Sequence, residues 1–155
     1  MQARVTGEDR LSIELPSEAE VRAVTSDFRF PSSFAVGSAT AGYQCEGGFN
    51  VGDGPRNNWA EWESRPGNER TGAAARVWDF PGRDFDLARG LGLNAHRLSV
   101  EWARVQPVRE RVRPDVPPPW DEQALDRYVQ MLVDARKAGL EPYVTLQHFT
   151  HPYWL

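Results

Sequence analysis

The sequence carries a single cysteine, Cys45, in 155 residues. An intrachain disulfide is therefore excluded. Lysine is nearly missing as well: Lys137 stands alone beside seventeen arginines. Basic residues are outnumbered, 18 against 22 acidic, and the net charge is −4. That balance argues against a nucleic-acid partner, which calls for a basic face. No apolar run approaches the length of a membrane span. Nothing after Met1 has the apolar segment of a secretory signal. A cytoplasmic location with no membrane partner is the expectation. Histidine is scarce, with three in all. His148 and His151 are neighbours, but His96 belongs to a separate strand pattern and no cysteine pair assists. We expect neither a metal nor a cofactor.

What is present reads as a globular α/β protein. The chain is 40% hydrophobic and 26% charged, which is ordinary for a soluble domain. Its length suffices for one modest core. Residues 1–29 are charged and weakly periodic. Ser17 with Glu20 three residues on fits the start of a short helix between Pro16 and Val24. We read this leader as loosely held. From Phe34 to Gly48 the chain is first small and apolar, then polar at Gln44 and Glu46. That pattern suits a buried strand presenting an amide and a carboxylate at one rim. On such an extended chain Cys45 points the other way, into packing. Residues 47–82 form a long connection. Trp59 and Trp62 within it argue for order. They suit either a wall of a sugar site or a packed anchor for the loop, and we take the anchor.

Two helix–strand units follow. Asp84 is a suitable cap, Phe85, Ala88 and Leu91 share a face, and Gly92 is the stop. Ala95–Val100 then reads as a strand. Val105–Pro119 is a proline-rich loop whose Arg109, Glu110, Arg111 and Arg113 read as solvated mixed charge. Asp121 caps the longest helix, whose apolar stripe is Leu125, Tyr128, Val129 and Leu132, extended by Ala135. Gly139 stops it, and Pro142–His148 reads as the next strand. Ala88-Arg89…Gly92-Leu93 recurs as Ala135-Arg136…Gly139-Leu140, an offset of 135 − 88 = 47. Successive βα units produce such a repeat.

Three stretches resemble the glycoside hydrolase family 1 enzymes, the β-glucosidase family. The first comprises Phe30, Pro31, Phe34, Gly37, Ala39, Thr40, Tyr43, Gln44, Glu46 and Gly47. The second comprises Leu91, Gly92, His96, Arg97, Ser99, Trp102, Arg104 and Pro107. The third comprises Val144, Thr145, Leu146, His148, Pro152, Trp154 and Leu155, with Phe149 where tryptophan is usual. The resemblance spans residues 30–155. It implies an incomplete TIM (β/α)8 barrel, its N-terminal part of about three βα units, since a whole barrel takes at least about 200 residues. The expectation is a fragment whose unpaired sheet edge at Val144–Leu146 invites a complementing chain.

The same resemblance implies a β-glycosidase acting with retention on a β-glycoside. Gln44 and His148 then match residues that hydrogen-bond sugar hydroxyls, Phe149 matches an aromatic of the subsite wall, and Arg97 matches the arginine beside the nucleophile. Retention needs two carboxyls about 5–5.5 Å apart. The family's two catalytic glutamates lie in motifs absent here, one of them Asn-Glu-Pro. No catalytic residue is therefore assigned in this chain. Glu46 and Glu101 are the carboxylates at the strand ends. Glu46 matches a loop-supporting position, and Glu101 one that is not acidic across the family. The alternative is a non-catalytic relic or a sugar-contacting partial domain.

Overall fold

A computed structural model describes residues 4–6, 10–12, 15–52, 54–107 and 116–155. The arginine run at 109–113 lies outside the described residues. The chain divides into two compact units, Met1–Phe34 and Ala35–Leu155.

In the first unit, β1 (Arg4–Thr6) pairs antiparallel with β2 (Arg10–Ser12). Helix α1 (Glu18–Thr25) follows. Its capping box is complete: the Ser17 hydroxyl accepts from the Glu20 amide, and the Glu20 carboxylate accepts from the Ser17 amide. No residue of α1 is buried. Past it, Phe30 packs edge-on to Phe28 and stacks on Phe34.

The second unit is built on a parallel sheet in the order β3 (Gly37–Ala39), β4 (Ala95–Ser99), β5 (Glu141–Thr145). Gly37 lies opposite Ala95, and Ala95 opposite Glu141. The chain crosses from β3 to β4 through α2 (Gly42–Glu46), α3 (Asn58–Glu63) and α4 (Pro81–Gly90). It crosses from β4 to β5 through α5 (Trp102–Val105) and α6 (Glu122–Lys137). Parallel neighbours require such crossovers. Helices α4 and α6 end on Gly92 and Gly139, at φ of 79° and 81°, where a side chain would be strained.

The core lies where α4 and α6 cover β4. It gathers Phe85, Ala88, Leu98, Val105, Ala124, Tyr128, Met131, Ala135 and Leu140. Four expectations are corrected here. Helix α4 begins at Pro81 rather than after Asp84, because proline suits a first helical position, and Asp84 falls in the first turn. The buried face of α6 is Ala124, Tyr128, Met131 and Ala135, and Val129 is exposed. Strand β3 is exposed along its length, because among the described residues it has a strand neighbour on one side alone. Strand β5 ends at Thr145, before His148.

Gly37 is fixed by contact with the neighbouring strand. A Cβ there would lie 2.5 Å from the Ala95 carbonyl oxygen. Backbone cannot yield as a side-chain tip would. We expect Gly37→Ala to part β3 from β4 and to destabilise the sheet by about 1–3 kcal/mol, the range for overpacking. Faster exchange of the Thr40 amide, which donates to the Arg97 carbonyl at 2.8 Å, would report it.

Candidate functional site

The ends of β3 and β5, with the connection between β3 and β4, enclose a cleft of about 350 Å³. Tyr43, Gln44, Trp59, Glu63, His148 and Phe149 are among its walls. Gln44 reaches it from a helix, not a strand. That changes its relation to Glu46. Two residues apart on a strand they would share a face; on α2 they diverge by roughly 200°. Gln44 is exposed toward the cleft while Glu46 turns inward and is buried. Cys45 is half-buried on the same helix rather than packed away.

Arg97 stands at the centre of β4 and is half-buried. Its Nε donates to Thr145 Oγ1 at 2.7 Å, and its Nη2 donates to His148 Nδ1 at 2.6 Å. A guanidinium has no acceptor. His148 must therefore accept at Nδ1, which leaves Nε2–H as the imidazole's donor. Arginine thus fixes the tautomer of the histidine that lines the cleft. Phe149 follows at φ 65°, a conformation unusual for a bulky residue, with 77% of its surface exposed. Its ring meets the His148 ring edge-on at 5.0 Å.

Trp59 corrects the reading of the tryptophans as packed anchors. Both indoles are 45% exposed, set edge to face at 5.8 Å, and Trp59 lines the cleft. Asn57 starts their helix, its side-chain oxygen accepting from the Ala60 amide at 2.7 Å. An asparagine two residues before Trp59 was a legible cap. Glu63 and Thr71 went unread, and Tyr43 was read as a family match without a place in the cleft. Glu63 accepts from the Thr71 amide and hydroxyl and from Asn50, which ties the connection together. The Tyr43 hydroxyl is buried without a hydrogen bond of good geometry, and burial beside Glu63 raises its pKa.

The two rim carboxylates are engaged inside the protein. Glu46 accepts from Arg104 Nε at 2.5 Å and from the Tyr128 hydroxyl at 2.7 Å. Arg104 also donates to the Gly47 carbonyl and lies over the rings of Phe49 and Trp78. Burial pushes the Glu46 carboxyl up to about 7, although Arg104 and Tyr128 pull it down. Glu101 accepts from Asn57 Nδ2 at 3.1 Å and Thr150 Oγ1 at 2.6 Å. Burial raises its pKa, opposed by those two bonds. The histidines are separately engaged. His96 is buried between the hydroxyls of Ser38 and Thr40, and His151 Nδ1 lies against the Pro152 carbonyl. Among the described residues no three of His, Cys, Asp or Glu cluster to hold a metal.

A parallel sheet with helical crossovers and a cleft at its C-terminal rim fits a portion of a (β/α)8 barrel. The sequence model of glycosyl hydrolase family 1 matches residues 26–155, and the chain belongs to that family. It is 35% identical over 130 residues to β-glucosidase 47 of Arabidopsis thaliana, covering 81% of this chain and 23% of that protein. It is 30% identical over 156 residues to the thermostable β-glucosidase B of Thermobispora bispora, covering 98% of this chain and 31% of that protein. Among solved structures, the family 1 β-glucosidase of Humicola insolens in complex with glucose superposes at a TM-score of 0.68. The identity is 31%, over 79% of this chain and 25% of that one. The chain thus spans about a quarter to a third of the length of these relatives.

The Glu46 shift sets a pH dependence. Its carboxyl is held well above its ordinary value, so the folded state binds the proton more tightly than the unfolded chain. Stability from this group is greatest below about pH 4.5 and declines as pH rises toward 7, by on the order of 3 kcal/mol. A carbon-13 titration of the Glu46 carboxyl should show a midpoint above 6. Arg104→Met should move it higher, because the compensating cation is gone.

Proposed function

We propose that this chain forms part of the innermost sugar-binding wall of a retaining β-glycosidase of the β-glucosidase type, serving carbohydrate metabolism. The observation that carries the reading is the bond from Arg97 to His148. It leaves a fixed N–H donor on the cleft wall, opposite an exposed amide at Gln44. Donor and acceptor groups so placed suit vicinal hydroxyls. Trp59 and Phe149 add flat apolar faces beside them, which suit sugar rings. Arg97, in the same reading, also orients the nucleophile in the assembled enzyme.

Bond cleavage with retention requires two carboxyls, and among the described residues the cleft offers no free pair: Glu63 at its wall is held by Asn50 and Thr71. Glu46 and Glu101 are buried and already accept two bonds each. The catalytic pair would come from later strands of the barrel. Those strands would dock on the sheet edges at β3 and β5, where Tyr143, Val144 and Leu146 are exposed. Among the described residues no helix is long and apolar enough to cross a membrane. We retain the cytoplasm as the proposed location.

Two outcomes test the reading. The chain should bind methyl β-D-glucopyranoside, seen as a shift of the Trp59 indole N–H resonance. His148→Ala and Gln44→Ala should each weaken that binding about tenfold, the loss of about 1.4 kcal/mol. The chain should not hydrolyse a chromogenic β-glucoside. Turnover abolished by Glu46→Gln or Glu101→Gln would overturn the assignment of catalysis to residues outside this chain.

A further inference from the structure

The last residue before α5 touches the loops of both flanking strands. Glu101 follows β4, the middle strand, and is 1% exposed. One carboxylate oxygen accepts from Asn57, in the connection that leaves β3. The other accepts from Thr150, in the loop that leaves β5. Its backbone amide donates to the Tyr128 hydroxyl at 2.9 Å, which holds the residue against α6. Glu101 thus bonds side chains in both loops from a position just past the strand between them.

Each partner lies next to a wall of the cleft. Asn57 caps α3 and so sets the helix that carries Trp59. Thr150 follows Phe149 directly, and its amide donates to the His148 carbonyl at 2.8 Å. The two loops also meet each other. The Asn58 amide donates to the His151 carbonyl at 3.1 Å, and the His151 amide donates to Asn58 Oδ1 at 3.0 Å. A bridge joins Asn57 with Pro152. Asn57 and Pro152 are buried, but Asn58 and His151 are only half-buried, and loop bonds at such positions open readily unless anchored. The anchor is the buried carboxylate beneath them.

We propose that Glu101 is a positioning residue, whose carboxylate clasps the Trp59 wall to the His148–Phe149 wall and so sets the width of the cleft. Its relevance to sugar rests on the function proposed above; the clasp itself does not. Ionised, the carboxylate accepts from both donors at once. A glutamine can imitate this. Its carbonyl accepts from Asn57, and its amide donates to Thr150 once that hydroxyl rotates. An alanine cannot, and it strands two buried polar groups.

The test uses the whole chain, labelled with nitrogen-15. Glu101→Ala should speed amide exchange at Asn58 and His151 by on the order of tenfold or more, leaving Met131 and Ala135 in α6 unchanged. Glu101→Gln should stay within about twofold of the parent at all four sites, as rescue by the nearest isostere requires. Thr150→Val, a milder cut of one arm, should speed exchange at His151. With methyl β-D-glucopyranoside as probe, Glu101→Ala should weaken the Trp59 shift about tenfold and Glu101→Gln should preserve it. Unchanged exchange at Asn58 and His151 in both Glu101→Ala and Thr150→Val would overturn the clasp. So would equal acceleration at Met131 and Ala135, which would mark Glu101 as a general stabiliser. A parent chain that ignores the glucoside would sink the sugar reading, while the exchange rates would still decide the clasp.

Discussion

Strand β4 is the element on which the second unit depends. Among the described residues it alone has a hydrogen-bonded strand on each side. It supplies Leu98 to the core, and both neighbours are in parallel register with it from Ala95 onward. Close approach on one side needs Gly37, since any side chain there would strike the Ala95 carbonyl. Polar residues along the same strand bond to the neighbouring strand, the loop beyond it and the start of α2. Arg97 bonds to Thr145 and His148, and Ser99 accepts from the Gly42 amide at 2.7 Å. A strand central to packing is thereby also central to the cleft.

Beneath the cleft lies a chain of buried polar groups: Arg104, Glu46, Tyr128 and the amide of Glu101. Isolated, a buried carboxylate would be expensive. Here each group has partners, and Arg104 is additionally sandwiched by aromatic faces. Removing one member would leave others unpaired, which costs more than the bond itself contributes. That asymmetry explains how α2, α5 and α6 are locked together beneath the rim while Gln44 stays free to face outward.

Local rules made much of the architecture legible. Ser17 and Asp121 cap helices, Gly92 and Gly139 end them, and the repeat of 47 residues marks two consecutive βα units. The family motifs named the barrel. What escaped was governed by distant partners or by elements too short to show a period. The five residues of α2 read as strand, which set Glu46 beside Gln44 rather than behind it. Val129 and Met131 are both apolar, yet Met131 is buried in the core and Val129 is exposed, a choice made by the packing of α6. Trp59 read as either a sugar-site wall or a loop anchor, and only the fold of the connection decided between them. Glu101 looked like an idle carboxylate because its partners, Asn57 and Thr150, lie 44 and 49 residues away.

The central claim is that β4 holds β3 and β5 parallel on either side, so that their polar ends share one rim. Scalar couplings across hydrogen bonds test it most directly. The account predicts couplings from the Thr40 nitrogen to the Arg97 carbonyl carbon and from the Val100 nitrogen to the Thr145 carbonyl carbon, the bonds that close the two pairings at the rim. Couplings that instead place either neighbour antiparallel to β4, or shift its register by a residue, would contradict it.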